Sequence, residues 1–208
     1  MAEQNHIQAV IFDLGGVILR TDDPRPRMEL AQSLGMTRAE LEDAVFSNPV
    51  SQRAERGLAT QQEVWAAVAK SLNLPEETMP AFSKQFFGGD RVDFALIELI
   101  QQFRAHHTTA LLSNTWIVDL PGFLRDNLQI PDTFDIIISS AQRRMAKPDP
   151  EIFDLTLELT GARPEEAVFV DDASRNIAAA ASLGIHTVHF RSTEQARGEL
   201  LALLKIAE

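Results

Sequence analysis

Ile7-Gln8-Ala9-Val10-Ile11-Phe12-Asp13-Leu14-Gly15-Gly16 is the stretch on which the fold turns. Residues 7–12 read as a short, apolar, β-branched strand that stops at a carboxylate, with two glycines following closely. Four further apolar runs lie downstream, at 108–112, 134–138, 167–170 and 186–190. Helix-like windows separate them, at about 91–105, 117–127, from Asp149-Pro150 to before Gly161, and 173–183; a last helix opens near Thr193. Strands alternating with helices predict an α/β fold, a doubly wound, Rossmann-like parallel sheet with helices on both faces. Between the first strand and the rest the texture changes. Windows at 26–34, 37–46, 60–73 and 78–87 carry apolar residues three and four apart, such as Val64, Val68 and Leu72, with no strand pattern among them. This stretch reads as an all-helical insertion.

Composition narrows the functional classes. With 30 acidic and 19 basic residues the net charge is −11, which argues against nucleic acid as a partner, since a phosphate backbone is met by clustered Lys and Arg. Residues 20–88 are nearly neutral, with 8 basic and 10 acidic residues, so the acidity sits in the α/β part. The absence of cysteine excludes disulfides, thiolate catalysis and cysteine-ligated metals, and fits a reducing compartment. The apolar runs are far short of the ~18 residues a membrane span needs. Residues 1–6 lack a basic, then apolar, leader, so a cytoplasmic location is expected.

In open parallel sheets ligands bind beyond the carboxyl ends of the strands. Here those ends carry Asp13, Ser113-Asn114 and Asp171-Asp172, and Lys147-Pro148 precedes a helix. Three carboxylates gathered at one edge repel one another and call for a cation. Oxygen ligands without imidazole or thiolate suit Mg²⁺. Mg²⁺ beside an ammonium and a hydroxyl suits a phosphoryl group, and a carboxylate already in place can be its nucleophile.

These residues fall into four ordered motifs: Phe12-Asp13-Leu14-Gly15-Gly16-Val17, Leu112-Ser113-Asn114-Thr115, Lys147-Pro148-Asp149-Pro150-Glu151, and Phe169-Val170-Asp171-Asp172-Ala173-Ser174-Arg175-Asn176. In order and spacing they resemble the haloacid dehalogenase superfamily, over nearly the whole chain. Within it the chain is most similar to small bacterial sugar-phosphate phosphatases and to the phosphatase half of soluble epoxide hydrolases. The resemblance implies a core at 1–19 and 89–208 with a helical cap at 20–88. It implies Asp13 as nucleophile, and Mg²⁺ held by Asp13, the Gly15 carbonyl and Asp172, with Asp171 direct or through water. Ser113 and the Asn114 N–H would hold phosphoryl oxygens, Lys147 would bridge nucleophile and phosphate, and Asn176 would position the fourth motif. The implied substrate is a small phosphorylated metabolite, and the implied assembly a monomer or homodimer.

One position departs from the family pattern. Most phosphatases of this family carry a general acid, an aspartate, two residues after the nucleophile; here that residue is Gly15. Such a group contributes about 10²–10⁴-fold. Three readings follow: a slower or narrower phosphatase, a metal-independent 2-haloacid dehalogenase, or a catalytically silent metabolite-binding protein. The Asp171-Asp172 pair argues against the second. Asp22, Asp23 and Glu55 are candidate replacements for the missing acid. Elsewhere the expectations are structural. Asp149-Pro150 reads as a helix N-cap, and His106-His107 as cations at a helix C-terminus. His186 and His189 have no apparent partner. Trp65 and Phe86-Phe87 read as cap core, Trp116 as either core or entrance, and Gly88-Gly89 and the 20–26 segment as hinges.

Overall fold

In the computed structural model, which describes residues 6–205, a five-stranded sheet is built from β1 (Ala9–Phe12), β4 (Thr108–Ser113), β5 (Ile136–Ser139), β6 (Ala167–Asp171) and β7 (His186–His189). The order is β5-β4-β1-β6-β7 and every pairing is parallel. The chain fills one side of β1 and then the other, so the strand order reverses at β1. That reversal opens a crevice at the carboxyl end of the central strand. The reading of residues 1–5 as free of a leader lies outside the described residues.

Strand alternation supplies two cores. Val10, Phe12, Leu111, Val168 and Val170 face one side of the sheet, where α6 (Phe94–Arg104), α7 (Leu120–Asp126) and α11 (Thr193–Leu204) cover them with Ile100, Phe103, Leu124 and Leu200. Ala9, Ile11, Leu112 and Phe169 face the other, under α9 (Pro150–Thr160) and α10 (Ser174–Ser182), against Ile152, Phe153 and Ala180. Because both faces are covered, the strands read as continuous apolar runs rather than alternating ones.

Residues 22–89 hold five α-helices: α1 (Arg25–Ser33), α2 (Arg38–Phe46), α3 (Pro49–Glu55), α4 (Gln61–Ser71) and α5 (Met79–Phe86). They enclose a third core of Leu41, Val45, Val64, Val68, Phe82 and Phe86. Thr37 and Thr60 open α2 and α4 with full capping boxes to Glu40 and Glu63. At the base of this block β2 (Leu19–Thr21) pairs antiparallel with β3 (Asp90–Val92), a ribbon absent from the strand pattern. Arg27, buried, ties the block together: it donates to the Phe86 carbonyl and pairs with Glu42 and with Asp90 of β3. Gly89 lets the ribbon close, since a Cβ there would stand 1.8 Å from the Asp23 carbonyl oxygen.

Several structural expectations are revised. His107 is not a cation at a helix end: it is buried and its Nδ1 lies 2.9 Å from the Ile7 carbonyl. A carbonyl only accepts, so Nδ1 carries the hydrogen. Burial then holds the imidazole below its usual range. Asp149 stands at the N-cap of α9, but its side chain makes no cap bond and pairs instead with Arg56. His189 has a partner, its Nε2 lying 2.9 Å from the Asp172 carbonyl. Of the two readings of Trp116, core packing is the one observed: it joins the aromatic cluster of the helical block, stacked on Phe46 at 6.0 Å between centroids and edge-on to Trp65.

Candidate active site

Strand ends bring the motif residues together. The Asp13 N–H donates to Val170 of the neighbouring strand, which extends the β1–β6 pairing by one residue and carries the Asp13 side chain to the mouth of the crevice. One of its carboxylate oxygens then accepts from the Leu14 N–H at 2.7 Å. Asp171 closes β6 beside it and Asp172 follows. Each of the three offers a carboxylate oxygen, and these atoms lie within 4.8 Å of one another.

Lys147 stands between two of them. Its Nζ is 2.9 Å from Asp13 and 2.7 Å from Asp171, and its side chain has no exposed surface. Burial alone would lower this ammonium, but the two carboxylates outweigh it and leave it above its ordinary value. Asn114 holds Lys147 from behind. The amide donates to the Lys147 carbonyl and accepts from the Lys147 N–H, both at 2.9 Å. The Asn114 side chain therefore positions Lys147, a role its place beside Ser113 does not reveal. Ser140 reinforces the loop after β4 through Thr115, accepting from its N–H and donating to its carbonyl.

Asp171 is fully buried and saturated. Its oxygens accept from Lys147, from the Ala173 N–H at 2.8 Å and from the Asn176 amide at 3.1 and 3.0 Å. Asn176 keeps a buried Oδ1 with no partner among the described residues. Asp172 differs: it is exposed, and its carboxylate lies over Gly16, where a Cβ would meet an Asp172 oxygen at 2.1 Å. Gly16 also takes a φ of +78°, in the left-handed region. Two demands, conformation and close approach, thus converge on one glycine.

The electrostatics of this cluster invite a cation. Burial, with Asp171 adding to it, pushes the Asp13 carboxyl up to about 7 against the pull of Lys147 and the Leu14 N–H. Partial desolvation of the carboxylate, with Asp171 adding to it, likewise raises Asp172, although the residue reaches solvent. Lys147 offers one positive charge to three carboxylates, so a second cation on the exposed side would relieve the remaining repulsion. An all-oxygen set fits Mg²⁺.

Ser113 is buried at the end of β4 beside this cluster. Gly15 is exposed at the mouth, and a Cβ there would meet nothing within 4 Å. Of the three carboxylates considered as replacement acids, Asp22 is exposed. Asp23 is held by Arg25 through four hydrogen bonds to its carboxylate, three from the guanidinium and one from the backbone N–H, which keep it down at about 2. Glu55, at the end of α3, is raised instead, by burial, while Arg175, Lys147 and Arg56 oppose the rise.

This fold and this site define a doubly wound, Rossmann-like α/β core with a carboxylate cluster at its switch point. The haloacid dehalogenase-like hydrolase family model matches residues 7–184, and the chain belongs to that family. It is 29% identical over 209 residues to D-ribitol-5-phosphate phosphatase of Bacteroides thetaiotaomicron, covering 95% of this chain and 98% of that one. It is 36% identical over 98 residues to mouse bifunctional epoxide hydrolase 2. The chain spans 17% of that protein's length, and 10% of a second mouse relative's. Among solved structures, a Bacteroides thetaiotaomicron family enzyme in complex with magnesium and inorganic phosphate superposes with a TM-score of 0.71 at 25% identity, over 90% of this chain and 96% of that one. Among the described residues no helix is long and apolar enough to cross a membrane.

Proposed function

We propose that this protein is a Mg²⁺-dependent phosphatase that hydrolyses a small phosphomonoester, of the sugar- or polyol-phosphate class, through an aspartyl-phosphate at Asp13. The observation that carries this reading is the Lys147 ammonium clamped between Asp13 and Asp171 while Asp172 is left free on the open side. Asp13, Asp172 and the Gly15 carbonyl would hold the ion, with Asp171 orienting Lys147 or reaching the ion through water. Bound there, Mg²⁺ supplies charge neutralisation and polarisation of the phosphoryl group. Lys147 offsets repulsion between the incoming phosphate and the nucleophile. Ser113 and the Asn114 N–H bind the phosphoryl oxygens, and Asn176 fixes Asp171. The helical block at 20–88 is the cap that closes over the substrate, excludes bulk water and selects the leaving group. The relatives that act on phosphorylated carbohydrates support the substrate class.

The test is phosphate release from a panel of sugar, polyol, aryl and acyl phosphates, with Mg²⁺ or EDTA, beside chloride release from 2-chloropropionate. Mg²⁺-dependent phosphate release is expected. Chloride release indifferent to EDTA would make the protein a dehalogenase instead, and silence in both would favour a binding role.

A further inference from the structure

Gly15 carries no side chain, so the position that holds the general acid in most phosphatases of this family supplies no proton to the leaving oxygen. The donor must come from elsewhere or be dispensed with. The end of α3 is where the helical block meets the core. Arg56 pairs with Asp149, two residues after Lys147. Gly57, with a φ of +64°, sits so close to α8 (Ser140–Arg143) that a Cβ would stand 2.3 Å from the Ala141 carbonyl oxygen. Glu55 immediately precedes these two anchors. It is half-buried, and among the described residues it makes no hydrogen bond and no ion pair. Most other partly buried carboxylates of the block are engaged: Glu42 by Arg27 and Arg38, Asp23 by Arg25. The charges that act on Glu55 come from Lys147 of the core loop, Arg175 of α10 and its own neighbour Arg56.

We infer that Glu55 is the general acid and base of the site, delivered by the helical block to the position that Gly15 leaves empty. The inference rests on the phosphatase reading above. In the first half-reaction an Asp13 oxygen forms a bond to phosphorus and the bond from phosphorus to the ester oxygen breaks. The electron pair stays on that oxygen, which takes the proton of the Glu55 carboxyl. In the second, the Glu55 carboxylate accepts a proton from water as the water oxygen attacks phosphorus. The phosphorus–Asp13 bond breaks, inorganic phosphate leaves, and Glu55 is again protonated. Burial, which raises this carboxyl, favours the protonated form that the first step needs. A donor carried by the cap would couple protonation to closure, so that a substrate too large to permit docking of α3 would bind without reacting.

Glu55→Gln, Glu55→Asp and the pair Glu55→Gln with Gly15→Asp test this on an alkyl phosphate and on 2,4-dinitrophenyl phosphate, whose phenolate leaves unprotonated. In Glu55→Gln, turnover of the alkyl ester should fall by about 10²–10⁴-fold. The burst of dinitrophenolate should persist, with slow turnover afterwards. Glu55→Asp should recover part of the loss. Gly15→Asp should restore alkyl-ester turnover in the Glu55→Gln background, since a Cβ at position 15 meets nothing within 4 Å. Equal losses in the first step for both leaving groups, or no loss, would overturn the role while leaving the phosphatase reading intact. A wild-type protein that releases no phosphate from either ester or from the wider panel would overturn both.

Discussion

Replacing Lys147 by methionine removes the one ammonium inside the carboxylate cluster while keeping most of the side-chain volume. Its Nζ lies 2.9 Å from Asp13 and 2.7 Å from Asp171, with side-chain exposures of 0%, 12% and 0% for Lys147, Asp13 and Asp171. Breaking a buried pair strands a charge and costs about 3–5 kcal/mol. Asp171 retains the Ala173 N–H and the Asn176 amide, whereas Asp13 retains only the Leu14 N–H, so most of the cost falls on Asp13. For a chain of this size the loss corresponds to about 6–20 °C in Tm. The measurement is guanidinium unfolding followed by circular dichroism at pH 9.5 in EDTA, well above the value of about 7 that Asp13 takes beside Lys147. The deficit should shrink as the pH falls toward 5, because the stranded carboxyl takes up a proton. It should also shrink with added Mg²⁺, which binds the folded state. A loss below about 1 kcal/mol in EDTA at pH 9.5 would refute the reasoning, since a buried ion pair of this kind is not so cheaply broken.

Other consequences are as direct. Gly16→Ala places a Cβ against Asp172 and strains a left-handed residue, so Mg²⁺ affinity by calorimetry should fall about 10–100-fold, on the scale of lost ligand positioning; unchanged affinity would remove Asp172 from the ion. His107 is depressed by burial, so the unfolded chain binds the proton first as the pH drops below 6.5. Its contribution is present above that pH and is lost on acidification; His107→Asn, which keeps an N–H toward Ile7, should flatten the stability profile between pH 7 and 5. Arg56→Ala breaks a half-exposed pair and should cost less than about 1 kcal/mol in unfolding while raising KM; an unaltered KM would mean that this contact does not hold the helical block for substrate.

The core strands were legible because burial on both faces leaves runs such as Val168-Phe169-Val170 without polar interruption, and each run ends within two residues of the observed strand. The candidate ligands were legible for a related reason: a polar residue that abruptly ends such a run lies at the edge of the sheet. Order within the sheet was not, since nothing in an apolar strand names its neighbour. Short elements also escaped. The seven residues of α3 bury only Ser51 and Ala54, which leaves no apolar stripe to read, and β2 and β3 are three-residue strands rich in charge. Side chains that act across the fold were hidden as well. Asn114 grips Lys147, 33 residues away, and Asp149 meets Arg56, 93 residues away; such pairs are set by tertiary placement alone.

The most direct test of Asp13 as a phosphoryl acceptor needs no knowledge of the substrate. Beryllofluoride adds to an aspartate beside Mg²⁺ as a mimic of aspartyl-phosphate, and its bound fluorines are resolved by ¹⁹F NMR. Bound signals should appear with the wild-type protein in Mg²⁺ and vanish with EDTA and in Asp13→Asn. A wild-type protein that binds none, or signals that survive the loss of Mg²⁺ or of the Asp13 carboxylate, would contradict the assignment.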